Sequence, residues 1–174
     1  MARSPRLVVV AFALLLLAGT AGCTGGDSGP TGPDVAFDAC APLPLLTDDG
    51  LTDTQAAGLA GAVALWNNRA GTHLMMAGDR GAPGLPVHFE TAAPPFHGFY
   101  DAPSGQVFIN TDLSGGPLAI TITHEIGHAF GLAHVPTDQR SSVMNPNNLV
   151  VEPTAEDIDT LAMRWGGCLV SAHP

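Results

Sequence analysis

The sequence predicts an α+β domain built from three helices and a small β-sheet. Apolar residues recur at helical spacing in three segments, and short apolar stretches separated by Gly/Pro-rich turns lie between the first two of them. The chain has 174 residues, of which 45% are hydrophobic, so it is long enough for one domain with its own core and short for two. We therefore expect one folded domain.

The first predicted helix covers residues 51–71. It begins with a capping-box pattern, in which Gln55 follows Thr52 by three residues, and it ends where Gly71 would stop a helix. Its apolar stripe consists of Leu59, Val63 and Trp66. The spacing of this stripe indicates that one face of the helix packs against the rest of the domain.

Three stretches with strand character follow, at residues 73–76, 85–90 and 106–110. In the last of them, alternation places Val107 and Ile109 on one face of the sheet and Phe108 on the other. These stretches predict a small sheet.

Two further helices are predicted nearer the C-terminus. The second covers residues 117–130 and starts after two glycines, with apolar residues four positions apart. The third covers residues 153–166, with Glu156 and Asp157 in its first turn, where acidic groups complement the helix dipole, and Gly166 at its end.

The N-terminal segment is typical of an exported lipoprotein. Residues 1–22 contain two arginines, an unbroken apolar run and then small residues, which is the layout of a signal peptide. A retained membrane anchor is the alternative. Cys23 ends a short stretch that resembles a bacterial lipobox, so we expect it to carry lipid. Residues 23–36 are rich in Gly, Pro and Asp and predict a flexible tether, which leaves 37–174 as the folded domain.

Composition limits the partners and the compartment. The formal net charge is −10 and the chain has no Lys, so nucleic acid would be repelled. If Cys23 carries lipid, Cys40 and Cys168 remain, and export to an oxidising compartment favours a disulfide between them over two free thiols. We expect a monomer that is either anchored by lipid at the outer face of the membrane or secreted.

The eleven residues HEIGHAFGLAH, at positions 124–134, carry three of the seven histidines in the chain. His124 and His128 are four residues apart, so a helix presents both imidazoles on one face. Gly131 can end that helix in a left-handed conformation, and the turn could bring His134 to the same ion. Three neutral imidazoles suit Zn²⁺ and leave a fourth position for water, which is the arrangement of a catalytic zinc.

Glu125 is adjacent to a predicted ligand in sequence but points about 100° away from it on a helix. It is therefore placed to reach the water rather than the metal, and we expect it to act as the general base and then to protonate the leaving amine. The alternative is a buried helix whose histidines have no role in metal binding. Five specified positions in the extended pattern weigh against that alternative.

This pattern resembles the extended zinc motif of the metzincin metalloproteases, HExxHxxGxxH. The matching positions are His124, Glu125, His128, Gly131 and His134. Residues 142–146, SVMNP, resemble the methionine-containing turn of the same family. The resemblance implies that Met144 lies beneath the metal as an apolar floor.

The matrixin branch of the metzincins is the most similar. The helix with Trp66, the strand at 106–110 and the closing helix occur in the same order, so the likeness spans roughly residues 40–167. It implies a zincin domain with three helices and a small twisted sheet, mostly parallel with one antiparallel edge strand.

The resemblance also implies how a protein or peptide substrate would bind. The substrate would lie extended along the edge of strand 106–110, in contact with Val107, Phe108 and Ile109. The stretch 145–151, which begins with Asn145 and Pro146, would shape the pocket for the residue after the scissile bond.

Matrixins bind a structural zinc and calcium ions, so the resemblance raises the question of further metal sites in this chain. Asp101 or Asp112 could hold Ca²⁺, and His73, His88 and His97 could be remnants of a second zinc site. Scattered residues of these types are more often surface groups that bind no ion.

The sequence thus predicts a Zn²⁺-dependent metalloendopeptidase that is exported from the cell. Two alternatives remain open. One is a surface lipoprotein that binds zinc or peptide without catalysis, and the other is an adhesion module stabilised by a structural zinc.

Overall fold

A computed structural model describes residues 35–48, 50–76, 83–166 and 168–169. The predicted signal peptide at 1–22, Cys23 and the tether up to residue 34 lie outside the described residues. Within the described part of the chain, no helix is both long enough and apolar enough to cross a membrane.

Eight elements follow one another along the chain. The strands are β1 (Leu43–Thr47), β2 (Leu74–Met76), β3 (Leu85–Glu90), β4 (Gly98–Asp101) and β5 (Gln106–Asn110). The helices are α1 (Asp53–Ala70), α2 (Gly115–Ala129) and α3 (Ala155–Trp165). The three helices and the strands β2, β3 and β5 lie where the sequence predicts them, while β1 and β4 were not predicted.

The five strands form one sheet in the order β2-β1-β3-β5-β4. Strands β2, β1, β3 and β5 run parallel to one another, and β4 pairs antiparallel with β5 at one edge. The expected α+β domain with a mostly parallel sheet and an antiparallel edge strand is therefore confirmed in its general architecture.

Local sequence signals set the ends of the helices. Thr52 caps α1 through the predicted capping box with Gln55, and Gly71 ends the helix in the left-handed conformation. A second capping box, which the sequence analysis missed, begins α3, where Thr154 and Asp157 exchange hydrogen bonds.

The core lies between the inner face of the sheet and the two longer helices. Trp66 of α1 is fully buried, and its indole N–H donates to the carbonyl of Thr123 in α2 at 2.9 Å. Val107 and Ile109 of β5 point into this core, as alternation predicts, and are fully buried. The contact between α1 and α2 holds the second helix, with its histidines, at a fixed position over the sheet.

Both ends of the described chain are tied to this core. The N–H of Val35 donates to the carbonyl of Ala102 at 2.9 Å, and the N–H of Phe37 donates to the carbonyl of Ala129 at 2.8 Å. A disulfide joins Cys40 and Cys168, whose Cα atoms are 5.7 Å apart, a separation that suits such a bond. The predicted pairing of these two cysteines thus agrees with the structure.

Candidate metal centre

Three histidine side chains converge at the C-terminal end of α2. The Nε2 atom of His128 lies 3.1 Å from that of His124 and 3.1 Å from that of His134, and the remaining pair is 3.2 Å apart. Helix pitch alone brings the first two together, because they are four residues apart on α2. His134 lies beyond the helix and depends on the turn that follows it.

That turn is a Schellman motif centred on Gly131. The N–H of Gly131 donates to the carbonyl of His128 at 2.8 Å, and the N–H of Leu132 donates to the carbonyl of Gly127 at 2.9 Å. Gly131 has φ +83°, and a Cβ atom at this position would collide with the guanidinium of Arg164. The left-handed backbone favours glycine here, whereas the exposed guanidinium of Arg164 can move aside, and the resulting reversal directs the chain back towards His134.

In His124 and His128, Nδ1 donates a hydrogen bond to a backbone carbonyl, so Nε2 is the nitrogen that faces the other histidines. The Nδ1–H of His124 donates to the carbonyl of Val143 at 2.7 Å, and the Nδ1–H of His128 donates to the carbonyl of Leu132 at 2.8 Å. Each of these neutral imidazoles therefore presents a lone pair at Nε2. The Nε2 lone pairs of His124 and His128 face one another at 3.1 Å and cannot hydrogen bond, whereas a cation between them could be bound by both.

The geometry of the cluster fits a metal ion. Two nitrogen ligands held about 2.05 Å from one ion at a tetrahedral angle lie about 3.3 Å apart. The Nε2 separations of 3.1 and 3.2 Å are close to this value. Among the described residues, these three histidines are the one group of three or more His, Cys, Asp or Glu side chains that could hold a metal ion.

The electrostatics of the cluster also favour metal over protons. Burial lowers the pKa of His124 to about 4 and the pKa of His128 to about 3, and it lowers the pKa of His134 as well. All three imidazoles are therefore neutral at pH 7, which is the form that binds metal.

Glu125 is buried beside this cluster. Burial raises the pKa of its carboxyl to about 8, and a hydrogen bond from the backbone N–H of Tyr100, in the edge strand β4, opposes the rise. A carboxyl with this pKa can hold or release a proton near neutral pH. Its neighbour in the fold is thus β4, an element that the sequence analysis did not find.

The methionine turn lies under α2. Met144 is 1% exposed, and a Cβ atom at Gly127 would be 2.5 Å from its sulfur. Gly127 therefore allows the methionine to approach the helix backbone between the first two histidines. The structure places Met144 beside the helix turn that carries these histidines.

A buried carboxylate holds this turn against α3. Asp157 is 1% exposed and accepts hydrogen bonds from Ser142 Oγ at 2.6 Å, Val143 N at 2.9 Å, Thr154 N at 3.0 Å and Arg140 Nη1 at 2.8 Å. Burial alone would raise the pKa of this carboxyl, but the hydrogen bonds outweigh it and lower the pKa. The capping pattern formed by Thr154 and Asp157 is a sequence signal that could have pointed to Asp157. No sequence signal pointed to the hydrogen bond between Ser142 and Asp157.

The residues of β5 that were expected to contact a substrate do not lie at an edge of the sheet. Strand β5 is paired on both sides, with β3 and with β4, so the expectation that a peptide pairs with its edge is wrong. Val107 and Ile109 are in the core, and Phe108 lies on the outer face of the sheet, stacked between His88 and Phe99. The edge strand on this side is β4.

Asn145 has a structural role in the methionine turn. Its side-chain amide donates to the carbonyls of Val135 at 2.8 Å and Arg140 at 3.0 Å, and its Oδ1 accepts from the N–H of Ser142 at 2.9 Å. Pro146, the next residue, is half-buried. The amide of Asn145 thus braces the loop that leads from the third histidine to Met144.

The other candidate ligands are dispersed. His88 is hydrogen bonded to Asp48 at 3.1 Å and to Gln106 at 3.0 Å, and His73 is exposed. Asp101 and Asp112 belong to no metal-binding group of three or more within the described residues. In this part of the chain, neither a second zinc nor a calcium site of that size is assembled.

No protein-family model matches the chain, and no curated protein matches it significantly. The fold and the site define an α+β domain whose three buried or half-buried histidines could hold a metal ion. Any more specific assignment rests on the chemistry of these residues.

Proposed function

We propose that this protein is a zinc-dependent endopeptidase that cleaves extended polypeptides, with Glu125 as the general base. One observation carries the proposal: three histidine side chains converge on one point, and the buried carboxyl of Glu125 directly follows the first of them in the sequence. A site that only stores or binds zinc has no need for such a carboxyl.

The three histidines would hold the ion through their Nε2 atoms, leaving a fourth position for water or substrate. When bound, zinc supplies Lewis acidity, which polarises a carbonyl and makes water a nucleophile near neutral pH. The hydrogen bonds from Nδ1 to the carbonyls of Val143 and Leu132 keep the rings of His124 and His128 oriented for this role.

Glu125 would accept the proton of the attacking water and return it to the departing amine. Its buried environment favours the protonated form, and a nearby cation would favour the ionised form. The two influences together keep the carboxyl able to change its protonation state during one turnover. The N–H of Tyr100 holds the carboxyl in place on the β4 side.

The substrate backbone would run along the outer edge of β4. Among the described strands, β4 pairs with β5 alone, and the backbone N–H of Tyr100 in β4 donates a hydrogen bond to Glu125. A peptide added to this edge would pair through its backbone, so sequence preference would come from pockets rather than from the strand.

We further propose that the enzyme acts outside the cytoplasm, anchored by lipid at Cys23 or released. The N-terminal pattern of the sequence and the Cys40–Cys168 disulfide support this location.

The proposal is tested by Glu125→Ala, with Glu90→Ala as a matched control. Glu90 is an exposed carboxylate at the end of β3, so its removal should leave both zinc content and activity unchanged. The Glu125 variant should keep one zinc per chain while peptide hydrolysis falls by about a thousandfold or more.

Undiminished cleavage by the Glu125 variant would refute the role of the general base. Zinc binding by the wild-type protein without turnover on any peptide would instead support the alternative, a zinc- or peptide-binding surface lipoprotein.

A further inference from the structure

We propose that Asp157 and Ser142 are positioning residues that act on the zinc ligand His124 through the peptide group between Val143 and Met144. This inference rests on the metal centre of the proposed function and assigns it a relay of buried hydrogen bonds.

The relay can be followed from atom to atom. The hydroxyl of Ser142 donates to Oδ1 of Asp157 at 2.6 Å, and the same oxygen of Ser142 accepts the N–H of Met144 at 2.9 Å. That N–H belongs to the same peptide group as the carbonyl of Val143. The carbonyl in turn accepts the Nδ1–H of His124 at 2.7 Å.

Every member of the relay is buried. Asp157 and Met144 are 1% exposed, Ser142 and Val143 are fully buried, and His124 is 5% exposed. Water therefore does not compete for these hydrogen bonds, and bonds in such a chain polarise one another.

Each step strengthens the next in the same direction. Because a carboxylate accepts its proton, the oxygen of Ser142 becomes a better acceptor for the N–H of Met144. The peptide group is thereby polarised, so the carbonyl of Val143 becomes a better acceptor for the Nδ1–H of His124. A stronger bond at Nδ1 makes Nε2 more basic and fixes the plane of the ring, and both effects improve a metal ligand.

Asp157 also has a direct structural role, which must be separated from the relay. Its other oxygen accepts the N–H groups of Val143 and Thr154, and Arg140 bonds to Oδ1. Those bonds join the methionine turn to α3 and do not pass through the hydroxyl of Ser142. Removing that hydroxyl alone therefore interrupts the relay and leaves these bonds in place.

The chain offers a matched pair for this test, Ser142→Ala and Ser141→Ala. Ser141 is the neighbouring serine and is exposed, and its contact with Arg140, among the residues that the structure describes, uses the backbone carbonyl of Ser141 rather than its hydroxyl. Zinc affinity of the full chain would be measured by competition with a chelating dye. We expect Ser142→Ala to raise the dissociation constant by about tenfold, the lower end of the effect for groups that orient metal ligands, and Ser141→Ala to leave it unchanged.

Proton NMR of the zinc-loaded full chain, labelled with ¹⁵N-histidine, provides the second readout. The Nδ1–H resonance of His124 should move upfield in Ser142→Ala, because its hydrogen bond weakens. The Nδ1–H of His128 bonds to Leu132, outside the relay, and serves as the internal control. A merely structural loosening would move both resonances.

Two further variants, Ser142→Cys and Asp157→Asn, test the same relay. If Ser142→Ala does not fold, Ser142→Cys retains a side chain of similar shape with a weak donor and is judged by the same criteria. Asp157→Asn should shift the same His124 resonance, and in the Ser142→Ala background it should add little further shift.

A folded Ser142 variant with unchanged zinc affinity and an unchanged His124 resonance would overturn the relay. Equal shifts of the His124 and His128 resonances would overturn it too. A wild-type chain that binds no zinc would refute the metal centre itself, which is a different result from either of these.

Discussion

At the scale of single residues, the properties of the site come from burial and from bonds to backbone carbonyls. His124 and His128 each donate Nδ1–H to a carbonyl, so their Nε2 lone pairs face the same point. Burial keeps both rings neutral and makes the carboxyl of Glu125 hard to ionise. The same desolvation therefore keeps the imidazoles in the form that can bind a cation and keeps the carboxyl of Glu125 protonated up to about pH 8.

The raised pKa of Glu125 makes a prediction about stability in the metal-free protein. In the unfolded chain this carboxyl ionises near its usual pKa of 4.5, whereas in the folded protein it stays protonated up to about pH 8. Between these values the unfolded state binds fewer protons, so wild-type stability falls as pH rises, by up to about 1.4 kcal/mol per pH unit. Glu125→Gln removes this dependence, and its advantage over wild type should grow from pH 5 to pH 8.

The measurement is urea unfolding of chelator-treated wild type and Glu125→Gln at several pH values in that range. The histidines titrate in both proteins, so their contribution cancels in the difference. Glu90→Gln, at an exposed position, provides the control and should track the wild type. Parallel profiles for wild type and Glu125→Gln would contradict the raised pKa.

At the scale of elements, the end of α2 determines whether the third histidine reaches the site. The helix supplies His124 and His128 by its pitch, and the Schellman turn at Gly131 then reverses the chain. Trp165 of α3 supports this end from outside, because its indole N–H donates to the carbonyl of Phe130 at 2.8 Å. The three-histidine site is therefore assembled from one helix, its C-terminal turn and the helix that packs against that turn.

Gly131→Ala should disrupt this assembly, whereas Gly116→Ala should not. Alanine at position 131 would be forced into the left-handed region, at a cost of about 1–2 kcal/mol, while the exposed side chain of Arg164 would move aside. At Gly116, near the start of the same helix, an added Cβ meets no atom within 4 Å. We expect Gly131→Ala to lose zinc affinity by tenfold or more, on the order of the energy of the strain, as measured by chelator competition. Equal affinities for the two variants would contradict the role assigned to the turn.

The elements differ in how far the sequence could predict them. Helix α1 has both of its caps in its own sequence, and β5 shows clear alternation, so local pattern was sufficient for both. Strand β4 has four residues and includes a glycine, and β1 has a proline within its five residues. Their strand conformation comes from pairing with distant neighbours, which no local pattern records.

The contacts of the site also divide into those that a local sequence pattern predicts and those that depend on distant segments of the chain. The three histidines and Glu125 lie within eleven residues, so helix pitch for the first two histidines and the turn expected at Gly131 for the third were enough to group them. The relay from Asp157 depends on the docking of α3 against the methionine turn, and the contact of Glu125 with Tyr100 depends on β4. Ser142 and Asp157 are 15 residues apart in the sequence, and Tyr100 and Glu125 are 25 residues apart. Both contacts therefore follow from tertiary packing alone.

At the scale of the whole molecule, one covalent bond joins the two ends of the described chain. The Cys40–Cys168 disulfide spans 128 residues, and Cys40 lies next to the end of α3. Closing a loop of this length removes conformational freedom mainly from the unfolded chain. The bond should therefore contribute to stability without shaping the metal centre.

Replacing both cysteines, Cys40→Ser with Cys168→Ser, should lower the free energy of unfolding by about 2–5 kcal/mol. Zinc affinity under native conditions should stay the same, because neither cysteine contacts the three histidines. Urea unfolding and zinc titration of the same preparations measure the two quantities. Reducing agent should have no further effect on the double variant, and unchanged stability of that variant would contradict the role of the bond.

The central claim is that this domain uses zinc and Glu125 to cut peptide bonds. Its most direct test is to incubate the zinc-loaded protein with a proteome-derived peptide library and to map new termini by mass spectrometry. If the protein is a zinc endopeptidase, internal cuts appear in many peptides, disappear with a chelator, return when zinc is restored, and are absent with Glu125→Ala. A protein that binds one zinc per chain and produces no new termini would contradict it.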